Sequence, residues 1–250
     1  MLQDIRFALR TLFRQRFVTA MVVLCLALVV GVNTSMFSVF RSYILKPLPY
    51  PEVERLALVV AKQKAMADDE SPMSQADFRD FAAENRSFER LGAVSVRTVN
   101  LTGDGQPEQL TAPTATADVL ELLGARPILG RPMAAADSEP GAAKAVWLDH
   151  AFWVRRYQAQ PDVIGRTVLL DREAHEIAGV LPPGFEYVWW GADVWLPLGL
   201  DPAATDRSQR TLGHLLGILR ADVTPDQARA DARLERGDAG AQRIGLGIVG

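Results

Sequence analysis

The chain of 250 residues has one cysteine and three histidines. A single cysteine, Cys25, excludes an intramolecular disulfide, so the fold rests on packing alone. His150, His175 and His214 are far apart in sequence, and none belongs to an H-E-x-x-H or H-x-x-x-H pattern. A zinc site therefore has no sequence support, and each histidine reads as an ordinary surface or satisfied side chain. Basic excess is also missing, with 27 Lys and Arg against 30 Asp and Glu. That balance excludes a nucleic-acid binder, which needs surplus cations to neutralise phosphates. No G-x-x-x-x-G-K-[ST] loop or G-x-S-x-G elbow occurs, and no G-x-G-x-x-G follows a predicted strand and opens a helix. The chain thus has no phosphate loop of its own, no dinucleotide signature and no hydrolase nucleophile. Asp68-Asp69-Glu70 reads as a solvated loop, because calcium ligation needs oxygens at alternating positions around a glycine. No catalytic, cofactor-binding or metal-ligating residue is nominated, no cofactor is expected, and the chain reads as a non-enzyme.

What is present is strongly asymmetric. Residues 17–40 form 24 consecutive positions without a formal charge, bracketed by Arg16 and Arg41. As a helix this run is about 36 Å long, enough to cross a hydrocarbon core of about 30 Å. It exceeds a signal-peptide core and lacks a small-x-small cleavage site, so it reads as an uncleaved transmembrane helix. Residues 1–16 carry Arg6, Arg10, Arg14 and Arg16 against Asp4, a net of +3, while the remainder carries 23 basic and 29 acidic side chains, a net of −6. Positive flanks stay inside, so the N-terminus is expected in the cytoplasm and the main domain outside. Leu2, Ile5, Leu9, Leu12 and Phe13 share one helical face, which makes residues 1–16 an amphipathic cytoplasmic helix. Asn33, Thr34 and Ser35 are polar within the span and suit contact with other helices.

The outer region alternates short strands with short helices. Lys46-Pro47-Leu48-Pro49-Tyr50-Pro51 predicts a stiff extended exit from the membrane. Strands are predicted at residues 56–60, 88–99, 108–112, 145–148, 167–170, 175–180 and 212–219, and residues 194–196 read as another short apolar segment. Gly92 reads as a weak point in its strand, and residues 62–72 as a polar loop. Gly103-Asp104-Gly105 and Asp171-Arg172 read as turns. Ser74, Asp149 and Thr224 are expected N-caps, with Pro225 at N1 and Gln227 reaching back from N3 of a helix to about residue 236. Gly124 stops a helix that carries Val119, Leu120, Leu122 and Leu123. Most of Trp147, Trp153, Trp189, Trp190 and Trp195 should be core, and Trp189-Trp190 is a candidate exposed patch. Residues 237–250 hold five glycines and no amphipathic period, so this tail is expected to be disordered or cut short. The class that follows is α+β.

An ordered series of short segments then carries a resemblance. It runs from Asp4-Ile5-Arg6 through Gly31-Val32-Asn33-Thr34-Ser35-Met36-Phe37-Ser38 to Leu45-Lys46-Pro47-Leu48-Pro49-Tyr50-Pro51. Asp77-Phe78, Asn85-Arg86-Ser87-Phe88, Asn100-Leu101-Thr102-Gly103 and Leu123-Gly124-Ala125-Arg126-Pro127 with Gly130-Arg131 follow. Ile164-Gly165-Arg166, Gly179-Val180-Leu181-Pro182-Pro183-Gly184-Phe185 and Asp193-Val194-Trp195-Leu196-Pro197-Leu198 complete it. The series resembles MacB/FtsX-like ABC transporter permeases of the orphan type. The resemblance implies a MacB-like periplasmic core domain at 41–236. A porter-like α/β subdomain would be built from both ends of that region, with a β-containing subdomain inserted at roughly 125–200. It further implies a cell inner membrane location, a homodimer, a separate cytoplasmic ABC ATPase, and relay of ATP-driven change in export or mechanotransmission. Members carry further membrane helices after the outer domain, so the chain reads as a fragment lacking them. A single-pass extracytoplasmic binding or scaffold protein is the alternative.

Overall fold

The computed structural model describes residues 16–43, 50, 52–63, 70–103, 105–185, 191–201, 203–231 and 242–248. The chain divides into two units, Met1–Leu48 and Pro49–Gly250.

The first unit contains α1 (Arg16–Tyr43), one uninterrupted helix. Its window Thr19–Phe37 has a mean hydropathy of 2.2 and none of it is buried within the protein. Asn33, Thr34 and Ser35 are exposed on it, as is Cys25. A helix this long and apolar, with no protein surface covering it, has the dimensions of a membrane span. The amphipathic segment expected at 1–16 lies outside the described residues except for Arg16, and so do all but Tyr50 of the proline-rich exit at 46–51.

In the second unit the elements alternate as the α+β reading requires. In chain order they are β1 (Leu56–Gln63), β2 (Glu70–Ser71), β3 (Met73–Ser74), α2 (Gln75–Glu84), β4 (Phe88–Thr102), β5 (Glu108–Ala115) and α3 (Ala117–Leu122). Then come β6 (Leu129–Gly130), β7 (Ala145–Leu148), α4 (His150–Tyr157), β8 (Thr167–Leu170), β9 (Glu173–Val180) and β10 (Val194–Pro197). The last are β11 (Arg210–Leu212), β12 (His214–Leu219), α5 (Pro225–Asp231) and β13 (Gln242–Ile248).

Local signals explain several boundaries. Ser74 caps α2, its Oγ accepting the Asp77 N–H at 3.0 Å. Asp149 caps α4 by accepting the Ala151 N–H at 2.8 Å. Gln227 reaches back from α5 to the Thr224 N–H at 2.8 Å. Each cap satisfies an orphan donor of the first turn. Asp171 and Arg172 both have positive φ, 48° and 69°, the conformation that turns β8 directly into β9.

Two hydrophobic cores result. The sheet core gathers Ala57 and Val59 of β1, Met73, Phe78 and Phe81, Phe88 and Ala93 of β4, Leu212, Leu215 and Leu219, and Ala228 of α5. It is assembled from both ends of the second unit. The barrel core uses Val99 and Leu101 of β4, Leu110 and Ala112, Val146 and Leu148, Val168 and Leu170, Ile177 and Val180, and Val194 and Leu196. Alternate residues of six strands thus face one interior. Those strands close on themselves, because β4 pairs β5, β5 pairs β10, β10 pairs β7, β7 pairs β9, β9 pairs β8, and β8 returns to β4. A bulge between Val146 and Trp147 shifts the register against β9, which is why Ile177 and Val180 both point inward despite an odd spacing. Phe152, Trp153 and Tyr157 of α4 join this core.

Four sequence expectations change. β1 runs on to Gln63 and pairs β2 at Ala61–Ser71 and Lys62–Glu70, so the ends of the expected 62–72 loop are strand. Polar residues suit a strand whose backbone finds a partner. The single strand expected at 212–219 is two, β11 and β12, separated at Gly213. Gly92 is a point of close approach rather than weakness, as shown below. Gln242–Ile248, within the tail expected to be disordered, pairs antiparallel with β1 from Ala57–Ile248 to Gln63–Gln242. Backbone groups make that ladder, so no amphipathic pattern was needed to form it. The expected helix at 225–236 is described as far as Asp231, and its last residues lie outside the described set.

Candidate functional site at the junction of the two cores

β4 is 15 residues long, far longer than an ordinary strand of 5–6 residues or so. Its first half pairs β12, from Phe88–Leu219 to Val94–His214. Its second half pairs β5, from Val94–Ala115 to Leu101–Glu108. Val94 is the residue at which the two ladders meet, and it is fully buried.

The junction is fastened beside Val94. Thr116 follows β5, and its N–H donates to the Ala93 carbonyl at 3.0 Å. Its Oγ1 accepts the Ala93 N–H at 3.2 Å. The Thr116 side chain thus serves β4, although the residue sits at the N-cap of α3. α3 then lies across Gly92: a Cβ there would stand 2.6 Å from Thr116 Oγ1 and 2.7 Å from Val119 Cγ2. Only glycine lets the helix approach so closely. Beside α3 is a cavity of about 780 Å³, lined by Leu120, Ala125, Pro127 and Met133 with Arg90 and Glu121 at its rim. Arg90 and Glu121 pair across that rim at 2.6 Å.

At the end of the second unit where the chain begins, Arg55 gathers three elements. Its Nε donates to the Leu219 carbonyl of β12 at 2.8 Å, its Nη2 pairs Glu89 of β4 at 2.8 Å, and its Nη1 pairs Glu52. Nearby, Asn85 Oδ1 accepts the Ser87 and Phe88 N–H groups at 2.8 and 3.1 Å. The buried Ser87 Oγ donates to Asp231 of α5 at 2.6 Å. A cavity of about 620 Å³ opens there, lined by Phe81, Asn85, Ser87 and Asp231 among others.

The barrel has its own staple. Arg131 grips the Asp137 carboxylate with both terminal nitrogens, at 2.7 and 2.6 Å. Its guanidinium lies 5.3 Å from the Trp147 ring centre, and its carbonyl accepts the Trp147 Nε1–H at 2.7 Å. The Arg131 hydrogen bonds hold the Asp137 carboxyl below the usual carboxylate range. At Gly130, with φ of 78°, a Cβ would fall 2.1 Å from the Ala178 carbonyl oxygen. On the opposite wall Asp193 accepts the Thr111 N–H at 2.9 Å and Arg155 at 3.1 Å, tying β5 to α4. Burial pushes the Asp149 carboxyl up and pushes the His175 imidazole down. His175 Nδ1 faces the Glu173 carbonyl at 3.0 Å, which makes that nitrogen the donor.

The histidines singled out from the sequence sit on α4, β9 and β12. His150 stacks edge-on against Trp153 with centroids 5.6 Å apart, and His214 lies opposite Val94. Among the described residues, no group of three or more His, Cys, Asp or Glu side chains is arranged to hold a metal ion. Trp147, Trp153 and Trp195 are buried. Trp189, Trp190, Asp68 and Asp69 lie outside the described residues, and Glu70 is in β2. Sequence reasoning missed Arg55, Thr116 and the meaning of Gly92. A glycine inside an apolar strand was the available signal, because it marks close backbone approach as readily as weakness.

These features define a class: an α+β domain with two cores on one shared strand, in a chain that also carries an apolar helix of membrane-spanning length. The family follows from comparison with known proteins. Residues 19–234 match the sequence profile of the MacB-like periplasmic core domain, and the chain belongs to that family of ABC transporter permease domains. Solved structures agree on the fold. The periplasmic region of MacB from Actinobacillus actinomycetemcomitans superposes with a TM-score of 0.57 at 11% identity, covering 78% of this chain and 89% of that one. A permease-protein domain from Porphyromonas gingivalis gives 0.56 at 16% identity, covering 80% and 91%. The extracellular domain of the noncanonic ABC-type transporter YknZ from Gram-positive bacteria gives 0.53 at 12% identity, covering 71% and 89%. No curated protein sequence matches the chain.

Proposed function

We propose that the chain is a membrane-anchored component of a MacB/FtsX-like ABC permease, whose outer domain relays displacement from its sheet core to its barrel. The observation that carries this reading is β4, a single strand that is a wall of both cores. A strand pinned at Arg55, Thr116 and the Asp171 turn moves as a unit and carries motion along its length. α1 anchors the domain in the inner membrane, with the cytoplasmic N-terminus that the arginine bias favours. The energy source is a separate cytoplasmic ABC ATPase, and the working unit is a homodimer. The barrel core runs from Val99 to Leu196, so it starts before the insertion expected at roughly 125–200, within a core domain of about 41–236.

Hydrogen exchange on the full chain in lipid nanodiscs tests the relay. Amides from Arg90 to Leu101 should open with one shared free energy. Two independent openings on either side of Val94 would sink the relay through β4. Anchoring and orientation are read separately, by protease treatment of spheroplasts and of inverted vesicles. The barrel should be cut only in spheroplasts, and cleavage in inverted vesicles instead would reverse the topology. A monomer by mass photometry of the nanodisc particle would remove the homodimer.

A further inference from the structure

The β12–β4 ladder stops short of where its register could take it. Its final pair is His214–Val94, after Leu215–Ala93 and Leu216–Gly92. Continued by the same register, Leu212 would face Val96, Thr211 would face Arg97 and Arg210 would face Thr98. Instead the chain turns off at Gly213, and β11 pairs β3 through Arg210–Ser74 and Leu212–Met73, with an irregular register between them.

The edge of β4 that β12 leaves behind is open. Pro113 stands opposite Val96 on the β5 side. Proline has no N–H, so this is a non-hydrogen-bonded pair and the Val96 backbone groups face the other edge. Thr111, opposite Thr98, exchanges its N–H and carbonyl with Asp193 instead, so the Thr98 groups also face away from β5. Asn100 confirms the direction, since both its backbone groups are taken by Asp171 on that edge. Between Val94, held by His214, and Asn100, held by Asp171, lie Val96 and Thr98. No strand among the described residues pairs with them on that edge. The gap is about 20 Å long at a strand rise of about 3.3 Å per residue. The two residues it leaves unpaired are those that Leu212 and Arg210 would meet.

We propose that residues 210–213 exchange partners, leaving β3 and zipping onto Val96 and Thr98, so that β12 extends along β4 across the junction of the two cores. The exchange trades a short, irregular pairing for one in register with an existing ladder. Gly213 is the joint: it has no Cβ and lies against Val94 and Ser95. Leu212 is fully buried in the sheet core in the observed state, which holds the resting position. A latch adds to this. Arg207 grips Asp77 and Asp80 of α2, and Gln75 accepts the Asp201 N–H at 2.7 Å. Displacement of α2 therefore pulls on the segment leading into β11. The switch is a two-state element between the cores and needs no ATPase for its existence, so it stands apart from the transport reading.

Trapping tests it in the full chain, carried in nanodiscs in a Cys25→Ser background. Arg97→Cys with Thr211→Cys replaces two exposed side chains. In the zipped register these face each other as a non-hydrogen-bonded pair about 4.5 Å apart at Cα, within disulfide range. Ser95→Cys with Thr211→Cys is out of register and serves as control. In a glutathione buffer the first pair should bridge at least about tenfold faster than the second, and bridging should slow amide exchange at Val96 and Thr98 by about tenfold or more. Equal bridging rates, or bridging without added protection, would overturn the proposal. The unsubstituted chain gives a second reading by relaxation dispersion. Val96, Thr98, Met73 and Ser74 amides should share one exchange rate, and separate rates would overturn it as well. One shared β4 opening with no partner exchange would leave the relay intact while removing the switch.

Discussion

The sheet core and the barrel core share β4 but recruit their other walls from different distances along the chain. The barrel core is built from residues between Val99 and Leu196 in one continuous stretch. The sheet core joins Ala57 to Ala228, so its strands β1 and β12 pair across about 160 residues, as in Leu56–Ile218. Loop closure makes such distant pairing slow to form, though length adds only modestly to its free-energy cost. Fastening differs accordingly. The barrel combines local turns and staples, such as Asp171-Arg172 and Arg131–Asp137, with clasps of middle range such as Thr111–Asp193, 82 residues apart. The sheet core is held by long-range clasps, Arg55 to Leu219 and Ser87 to Asp231. All five tryptophans fall between residues 147 and 195, so tryptophan fluorescence reports the barrel region while circular dichroism reports the whole chain. The two cores can therefore be followed separately in one urea titration.

The largest effects come from emptying each core. Phe152→Ala in the barrel and Phe81→Ala in the sheet core should each cost about 3–5 kcal/mol. Phe152→Ala should move the fluorescence midpoint ahead of the dichroism midpoint. Phe81→Ala should move dichroism first. If both variants shift both signals equally, the cores are one cooperative unit.

The junction comes next. Gly92→Ala puts a methyl against Thr116 and Val119, and overpacking of this kind costs about 1–3 kcal/mol. Because α3 and β4 are common to both regions, the fluorescence and dichroism midpoints should fall together. A shift confined to one signal would show that the cores do not communicate through Val94.

Smaller and paired effects are expected at the caps. Ser74→Ala weakens α2 in the sheet region, and Asp149→Ala weakens α4 in the barrel, each by about 1 kcal/mol. Equal movement of the fluorescence midpoint by both variants would contradict the separation of the two regions.

The smallest effect is a pH slope belonging to the barrel. Burial holds the folded His175 below its unfolded value, with Lys144 and Arg97 acting in the same direction and Glu173 against it. Above about pH 6.5 neither state binds the proton, and the stabilisation is fully present. As pH falls through that value the unfolded chain takes up the proton first, so stability declines until the folded pKa is passed. Fluorescence-detected urea midpoints between pH 7 and 5 should show this decline, and His175→Gln should flatten it. An unchanged slope in the variant would assign it to other groups.

Legibility in the sequence followed locality. The caps at Ser74, Asp149 and Thr224 were readable because a cap side chain meets an amide no more than three residues away. Strand β7 was readable from four apolar residues, all buried. The junction was not. Thr116 drew no reading from the sequence, and nothing near it says that its hydroxyl serves Ala93, 23 residues earlier. Gly92 was misread because a glycine shows its freedom in sequence but hides which neighbour needs the space. The fate of Gln242–Ile248 was equally hidden, since a ladder along β1 is made by backbone and leaves no composition signal.

By itself the sequence determined the span of α1, the short elements with their caps and turns, and the ordered segments that point to the family. These depend on hydropathy, on propensity and on contacts a few residues apart. Tertiary structure alone decided that six strands close into a ring, that one strand serves two cores, and that β12 leaves β4 at Gly213. Those outcomes turn on which backbone edges meet, and backbone groups are the same for nearly every residue.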